Sequence, residues 1–190
     1  MKQKIRCEWC GSNPLYIKYH DEEWGVPVHD DQKHFEFLVL ESAQAGLSWL
    51  TILKRRENYR KAYANFDIEK VAGFDSEKVE ELITNAGIIR NRRKIESSVG
   101  NAKLFIEIQK EFGSFDTYFR SFIQGSAIIN SFKNLSEIPA HTTESEAIAK
   151  DMKKRGFKFL GPTIVYAHMQ AAGLVNDHLV DCFRYISVRP

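Results

Sequence analysis

At 190 residues the chain is long enough to bury a core, as one domain or as two small lobes. It is 43% hydrophobic and 27% charged, no apolar run approaches membrane-spanning length, and MKQKIRCEWC lacks a signal-peptide core, so a cytoplasmic globular protein is expected. A net charge of +2 excludes a global basic field and confines any polyanion site to a local patch, while three cysteines, an odd number, argue against a disulfide framework and leave metal binding or simple thiols.

Residues 1–30 carry little helical periodicity and are punctuated by Pro14, Gly25 and Pro27. Asp30 or Asp31 then caps a helix from about Gln32 to Ala45, which Gly46 stops. Ser48 opens a second helix, WLTILKRRENYRKAYANF, with Leu50, Leu53 and Tyr59 on one face. Asp67 and Asp75 read as N-caps of two shorter helices that end near Gly73 and Gly87. Asn91 caps a further helix, RRKIESSVGNAKLFIEIQKEF, so two helices are joined through a very short Gly-containing turn. Phe115 to Phe122 is another helical piece, and Asn130 to Thr142 is loop-like. Thr143 and Glu146 fit a capping box for a helix ending at Arg155. Gly161-Pro162 opens the last long helix, TIVYAHMQAAG, and residues 175–182 continue its pattern past Gly173. GFKFLG is the single strand candidate. The pattern reads as an all-α fold of many short helices, without repeats and without a domain boundary in composition.

Four constellations bear chemistry. In FEFLVLESAQAGLSW, Glu41 shares a helical face with Phe37, Leu38 and Ala45, so its carboxylate looks inward. Such a charge needs a partner: a structural ion pair, an escape to the surface, or a ligand. Trp9, Tyr16, Tyr19, Trp24 and Trp49 flank this stretch. Rings of this kind are mostly core, but around a carboxylate they suit a flat cationic ligand. His178 and Cys182, four apart, can share an ion if they lie on a helix; Cys7 with Cys10, or Cys7 with His20, completes a closed structural zinc set, and unrelated thiols and imidazoles are the plain alternative. His29, His34, His141 and His168 lack ligand spacing and read as surface or core residues.

Basic residues cluster at Lys54-Arg55-Arg56, at Arg90 to Lys94, and at Lys150, Lys153, Lys154, Arg155 and Lys158. Basic runs on helices are usually solvated faces. The turn Gly87-Ile88-Ile89-Arg90 is more suggestive: it is expected to direct backbone N–H groups outward at a helix start, giving a phosphate site ringed by Arg90, Arg92, Arg93 and Lys94.

Beyond these readings, RCEW (6–9), PLYIKYHDEEWGVP (14–27), LESAQAGLSWLTILKRRENYR (40–60), NAGIIRNRRKI (85–95), LSEIP (135–139), KKRGFKFLGPTIVYAHMQAAGLVNDH (153–178) and Cys182 resemble, in order, the DNA-3-methyladenine glycosylase I family. This is the constitutive bacterial type within the helix-hairpin-helix superfamily. The resemblance spans nearly the whole chain. It implies an all-α, two-lobed helix-hairpin-helix glycosylase fold and a monomeric, nucleoid-associated repair enzyme. Such an enzyme flips 3-methyladenine out of alkylated double-stranded DNA and hydrolyses its N-glycosidic bond, with free 3-methyladenine as product. It further implies one structural zinc on Cys7, His20, His178 and Cys182, leaving Cys10 out. Glu41 and Tyr19 are then hydrogen-bonding partners of the base, with Trp49 stacking and Tyr16 as pocket wall. Gly46 and Leu47 fall on the loop that fills the gap left by the flipped nucleotide, and Gly87, Ile88, Ile89, Arg90, Arg92, Arg93 and Lys94 on the phosphate-gripping hairpin.

Most of the superfamily carries a catalytic Asp downstream of the hairpin, and its lyases a nucleophilic Lys. No Asp follows residues 85–103 at that place, Asp116 being an unmotivated candidate, and the resemblance implies a monofunctional enzyme in which Lys94 is no nucleophile. Methylation at N3 makes adenine a cation and weakens its glycosidic bond, so no strong general acid is required. Glu41 is therefore expected first as a reader of the base and second as a catalyst. The rival readings are a zinc-stabilised helical module that binds damage without cleaving, and a hydrolase with a catalytic metal.

Overall fold

The computed structural model describes residues 4–44 and 46–188. Its architecture follows from local capping chemistry and one buried helix, α2 (Asp31–Gln44), whose residues from His34 to Ala43 are all buried. Before it lies α1 (Pro14–Glu22), and after it come α3 (Trp49–Leu53), α4 (Arg56–Ala62), α5 (Ile68–Ala72) and α6 (Ser76–Thr84). Then follow α7 (Arg92–Phe112), α8 (Phe115–Ser121), α9 (Thr143–Arg155), α10 (Pro162–Ala171) and the short α11 (Arg184–Ser187). Helix α2 packs against α3, α7, α8 and α10. Phe105 of α7 and Phe115 of α8 stack with centroids 4.0 Å apart, and Phe35 of α2 meets Phe105 edge-on.

The caps act where their residue types predict. Asp67, Asp75 and Asn91 accept from the backbone N–H groups of Lys70, Lys78 and Lys94, satisfying donors that a helix start leaves unpaired. Gly161 precedes Pro162 at the first position of α10. The capping box of α9 sits one residue earlier than expected, on Thr142 and Ser145.

Tertiary demands override the sequence pattern in four places. Helix α1 begins at Pro14, which reads as punctuation but occupies the first helical turn behind Asn13, whose side chain accepts from Leu15. The expected helix after Ser48 breaks at Lys54 and Arg55 into α3 and α4. That break aims Arg56 inward, where its Nε and guanidinium nitrogens donate to Glu36 and Glu23 at 2.8 Å. Residues 175–182 are not helical: Val175–Asn176 forms strand β2, paired parallel to β1 (Ile128–Ile129). Gly173 turns the chain there at φ +67, and a Cβ on it would stand 2.6 Å from the Pro27 nitrogen, so only glycine allows this crossing. GFKFLG is a turn, pinned by Asn101 of α7 through two hydrogen bonds to the Lys158 backbone. Ala45, the expected last residue of the helix that starts near Gln32, lies outside the described residues, and Gly46 beyond it has φ +84.

Candidate active site

Helices α1, α2, α3 and α10 surround a cavity of about 340 Å3. Trp9, Tyr16, Tyr19, Trp24 and Trp49 form its aromatic walls. Glu41 and Gln44 enter from α2, Ala167 and Gln170 from α10, and Leu135 and Ile138 close it from the loop before α9. The Tyr19 and Trp49 rings lie 5.5 Å apart, and Trp9 contacts both Tyr16 and Trp24. Two buried polar atoms of this lining have no protein partner: Glu41 Oε1, an acceptor, and Trp49 Nε1, a donor. Orphaned buried polar atoms are costly, and their convergence on one aromatic cavity marks a place for a ligand with its own polar edge.

The second oxygen of Glu41 is engaged from behind. Its Oε2 lies 3.1 Å from His168 Nδ1, and His168 Nε2 lies 2.9 Å from His34 Nδ1. Burial pushes the Glu41 carboxyl well above the ordinary carboxylate range. The same burial pushes His168 down to about 3. Burial thus disfavours the charged form of both groups.

Behind the aromatic wall, Cys7, His20, His178 and Cys182 are all buried, with their ligand atoms within 4.8 Å of one another. The sulfur-to-nitrogen separations are 3.4 Å for Cys182–His20 and 3.6 Å for both Cys7–His178 and Cys182–His178. A tetrahedral zinc with Zn–S of about 2.3 Å and Zn–N of about 2.0 Å has S···N edges of about 3.5 Å, so the spacing fits that ion. The outer ring nitrogens are held too: His20 Nδ1 by Asp21 at 2.8 Å and His178 Nε2 by the Trp24 carbonyl at 3.1 Å. These contacts leave the inner nitrogens facing the thiols, where they could hold an ion. Cys10 is outside the cluster, its thiol facing the Gly11 carbonyl. His178 and Cys182 meet without a helix, through a turn in which Cys182 N–H donates to Leu179.

The model of the methyladenine glycosylase family matches residues 9–185. The chain belongs to that family. It is 49% identical to DNA-3-methyladenine glycosylase 1 of Escherichia coli over 97% of this chain and 99% of that protein. It is 46% identical to the DNA-3-methyladenine glycosylase of Haemophilus influenzae over 93% of this chain and 96% of that protein. A solved 3-methyladenine DNA glycosylase I in complex with 3-methyladenine superposes with a TM-score of 0.91 at 36% identity, covering 97% of each chain. The protein is thus a DNA N-glycosylase, an enzyme rather than a bare damage-binding module.

In this glycosylase the expected base-binding residues Glu41, Tyr19, Tyr16 and Trp49 share one cavity. Leu47 is exposed on the turn beyond α2, with Gly46 left-handed before it. The turn after α6 differs from its expectation. The Gly87 N–H donates to the Asn85 side chain at 2.8 Å and the Ile89 N–H to the Tyr59 hydroxyl at 3.1 Å, so these donors brace the hairpin instead of facing outward. Lys94 Nζ reaches the Ala43 carbonyl at 3.0 Å, which fastens α7 to the end of α2 beside Gln44. Arg92 pairs with Glu80 at 2.7 Å. Arg93 lines a groove with Lys150, Lys153 and Lys158, so one arginine of the second basic cluster meets three lysines of the third. Arg56 of the first cluster is buried against carboxylates and offers nothing to a polyanion. Asp116 is held by His29, His34 and Arg120.

Sequence reasoning missed the roles of His34, His168, Leu135, Ile138 and Gln170. The two histidines lack any motif, and their partnership spans 134 residues of chain. LSEIP, read as family resemblance without a role, supplies Leu135 and Ile138.

Proposed function

We propose that this glycosylase excises 3-methyladenine from alkylated double-stranded DNA by flipping the nucleotide out and hydrolysing its N-glycosidic bond, without a lyase step. The observation that carries the reading is the unpartnered Glu41 Oε1 among the rings of Tyr16, Tyr19 and Trp49. A flipped, methylated adenine brings a flat cationic ring, and Glu41 and Tyr19 read its edge while Trp49 stacks. Normal adenine brings neither the charge nor the methyl group, so discrimination follows from unmatched interactions. The base leaves without a proton from the enzyme because its charge already weakens the bond. Leu47 fills the gap in the duplex, and Arg90, Arg92, Arg93 and the first turn of α7 hold the backbone, as the fastening of Lys94 to Ala43 sets that turn beside the cavity.

The donor set of Cys7, His20, His178 and Cys182 fits one zinc ion with a structural role. Four protein ligands leave no open position for water activation, so the ion supplies a cross-link between the two ends of the chain. Incubation with methylated duplex DNA and chromatography of the released bases tests the function. Release of 3-methyladenine with an intact abasic strand is expected. Retention of 3-methyladenine in the DNA, or direct strand cleavage, overturns the corresponding part of the reading.

A further inference from the structure

The geometry points to Arg55, at the joint between α3 and α4, as a phosphate-gripping residue that holds duplex DNA beside the flipped nucleotide, together with the Tyr59 hydroxyl and Arg90 of the neighbouring turn. The inference rests on the proposed DNA substrate but not on how the base is read. Most arginines of the chain are already engaged by carboxylates. Arg6 pairs with Asp21, Arg56 with Glu23 and Glu36, Arg60 with Glu36, Arg92 with Glu80, Arg120 with Asp116 and Arg155 with Asp151. Among the described residues no carboxylate pairs with Arg55 or with exposed Arg90. Glu57, the acid nearest Arg55 in sequence, is taken by Arg60.

Arg55 differs from an arginine on a solvated face, which keeps all five donors in water. It is half-buried, and its Nε–H is withdrawn from water without an acceptor, a cost that the fold itself does not recover. Its outer nitrogens have no protein partner either, and they remain accessible. The charge lies close to Tyr59, one turn further along α4. Burial pushes the Tyr59 hydroxyl up to about 12, and the Ile89 N–H and the Arg55 charge keep it from rising further. That hydroxyl accepts from the Ile89 N–H at 3.1 Å, and its own hydrogen has no acceptor among the described residues. Asn58 closes the same junction: its Nδ2 donates to the Gly87 carbonyl at 3.4 Å, and a Cβ on Gly87 would stand 3.0 Å from the Asn58 Cβ. The α3–α4 joint and the turn before α7 are thus locked together. What they offer in common is a guanidinium, a hydroxyl hydrogen and, directly after Ile89, a second guanidinium.

Spare donors with fixed positive charge call for an anion that carries several acceptor oxygens, and the planar guanidinium fork matches a phosphodiester. The place of the junction says which phosphodiester. Helix α3 starts at Trp49, a wall of the cavity, and is five residues long, about 7.5 Å. Leu47 lies just before its start and Arg55 just past its end. A duplex that delivers a nucleotide to the cavity, with Leu47 in the gap, therefore meets Arg55 roughly two base-pair steps of about 3.4 Å further on. Such a contact carries no base information. It sets the register of the duplex, so that the damaged nucleotide stands at the cavity mouth. Arg56, the next residue, does the complementary work: its buried pairs with Glu23 and Glu36 anchor the joint from inside, and Arg55 is presented from a fixed backbone.

The test uses the whole enzyme and duplexes with a stable abasic-site analogue, in which one phosphodiester at a time, within about four base pairs of that site on either strand, is replaced by a neutral methylphosphonate. In wild type one such replacement is expected to weaken binding about tenfold, and in Arg55→Gln the same replacement is expected to cost nothing further. The slope of log K against log salt is expected to fall by roughly 0.9 in Arg55→Gln, the loss of one phosphate contact. Arg55→Lys, which keeps the charge without the fork, is expected to hold the slope while binding more weakly, and it runs the same cycle where the glutamine variant does not fold. On methylated duplex kcat/KM is expected to fall about tenfold, with the single-turnover rate at saturating enzyme within about twofold of wild type. Strictly additive effects of Arg55→Gln and every methylphosphonate, or a salt slope equal to wild type, overturn the role of Arg55. An equal fall in slope for Lys61→Gln, an exposed lysine of the same helix, assigns the effect to net charge and overturns it too. A wild-type enzyme that shows the coupling yet releases no 3-methyladenine leaves the role of Arg55 standing and overturns the proposed excision instead.

Discussion

The Trp24 carbonyl accepts a hydrogen bond from His178 Nε2 at 3.1 Å, and the Trp24 ring stands edge-on to the same imidazole with centroids 4.6 Å apart. The Trp9 ring packs tilted against His20, with centroids 5.2 Å apart. Both tryptophans line the cavity, so the wall that a base would touch is built directly on the Cys/His cluster. The cluster is thus a brace of the pocket as well as a clip between chain ends. If the cluster holds the proposed zinc, Cys182→Ser, which removes one of its two thiols, is expected to empty the site of metal and to cost about 3 kcal/mol or more of stability. At this chain length that lowers Tm by roughly 6–12 °C. Atomic absorption and thermal melting check it, and unchanged metal content with unchanged Tm refutes the zinc assignment. A chelator is expected to remove activity and fold together, whereas reversible loss of rate in a folded protein points to a catalytic ion.

Glu41→Gln is expected to keep the fold. A primary amide replaces the carboxyl group at nearly the same volume, and its NH2 can donate to His168 Nδ1. Excision of 3-methyladenine is expected to fall roughly a hundredfold or more, because the amide cannot supply negative charge to the cation. Binding to a duplex with an abasic site, where no base enters the cavity, is expected to stay near wild type. Single-turnover base release and duplex titration measure the two, and release at the wild-type rate shows that Glu41 does not read the base.

What the sequence made legible was mostly local. Asp67, Asp75 and Asn91 announce their helices because a short polar side chain before an amphipathic run has one low-energy use. Glu41 was conspicuous because a carboxylate on an apolar face requires an explanation. Non-local facts were not legible. Nothing near Arg56 signals that Glu23 and Glu36 await it, so the break between α3 and α4 was invisible. His34 and His168 look like ordinary core histidines until the fold brings them together behind Glu41. The hairpin donors of Gly87 and Ile89 were misjudged for the same reason, since their acceptors include the distant Tyr59 hydroxyl.

The network around Arg56 predicts acid sensitivity. Burial opposes ionisation of Glu36, but hydrogen bonds and charge from Arg56 outweigh it and lower its pKa from 4.5 to about 2. A folded-state value below the unfolded one means stability that is fully present above pH 4.5 and is lost as pH falls through about 2. The shift corresponds to roughly 3 kcal/mol. Glu36→Gln is expected to be markedly less stable than wild type at pH 7, with the gap narrowing steadily toward pH 2. Urea unfolding at a series of pH values reads it, and a gap that does not change with pH refutes the account.

Leu47 offers a test of how the cavity is loaded. Its side chain is 41% exposed and is not part of the hydrophobic core of the described residues, so its truncation to alanine is expected to leave Tm unchanged. The preceding Gly46, at φ +84, holds the tight turn that carries Leu47 past the end of α2, next to Gln44 at the cavity. An apolar side chain in that place has the form of a wedge that occupies the space of an extruded nucleotide. Flipping costs a few kcal/mol in a duplex and far less in a single strand, where there is no pairing to break. Leu47→Ala is therefore expected to slow excision from duplex DNA by about tenfold or more while changing excision from single-stranded DNA little. Parallel single-turnover assays on the two substrates decide it: equal slowing on both assigns Leu47 to base recognition, and no slowing on either removes it from the DNA interface.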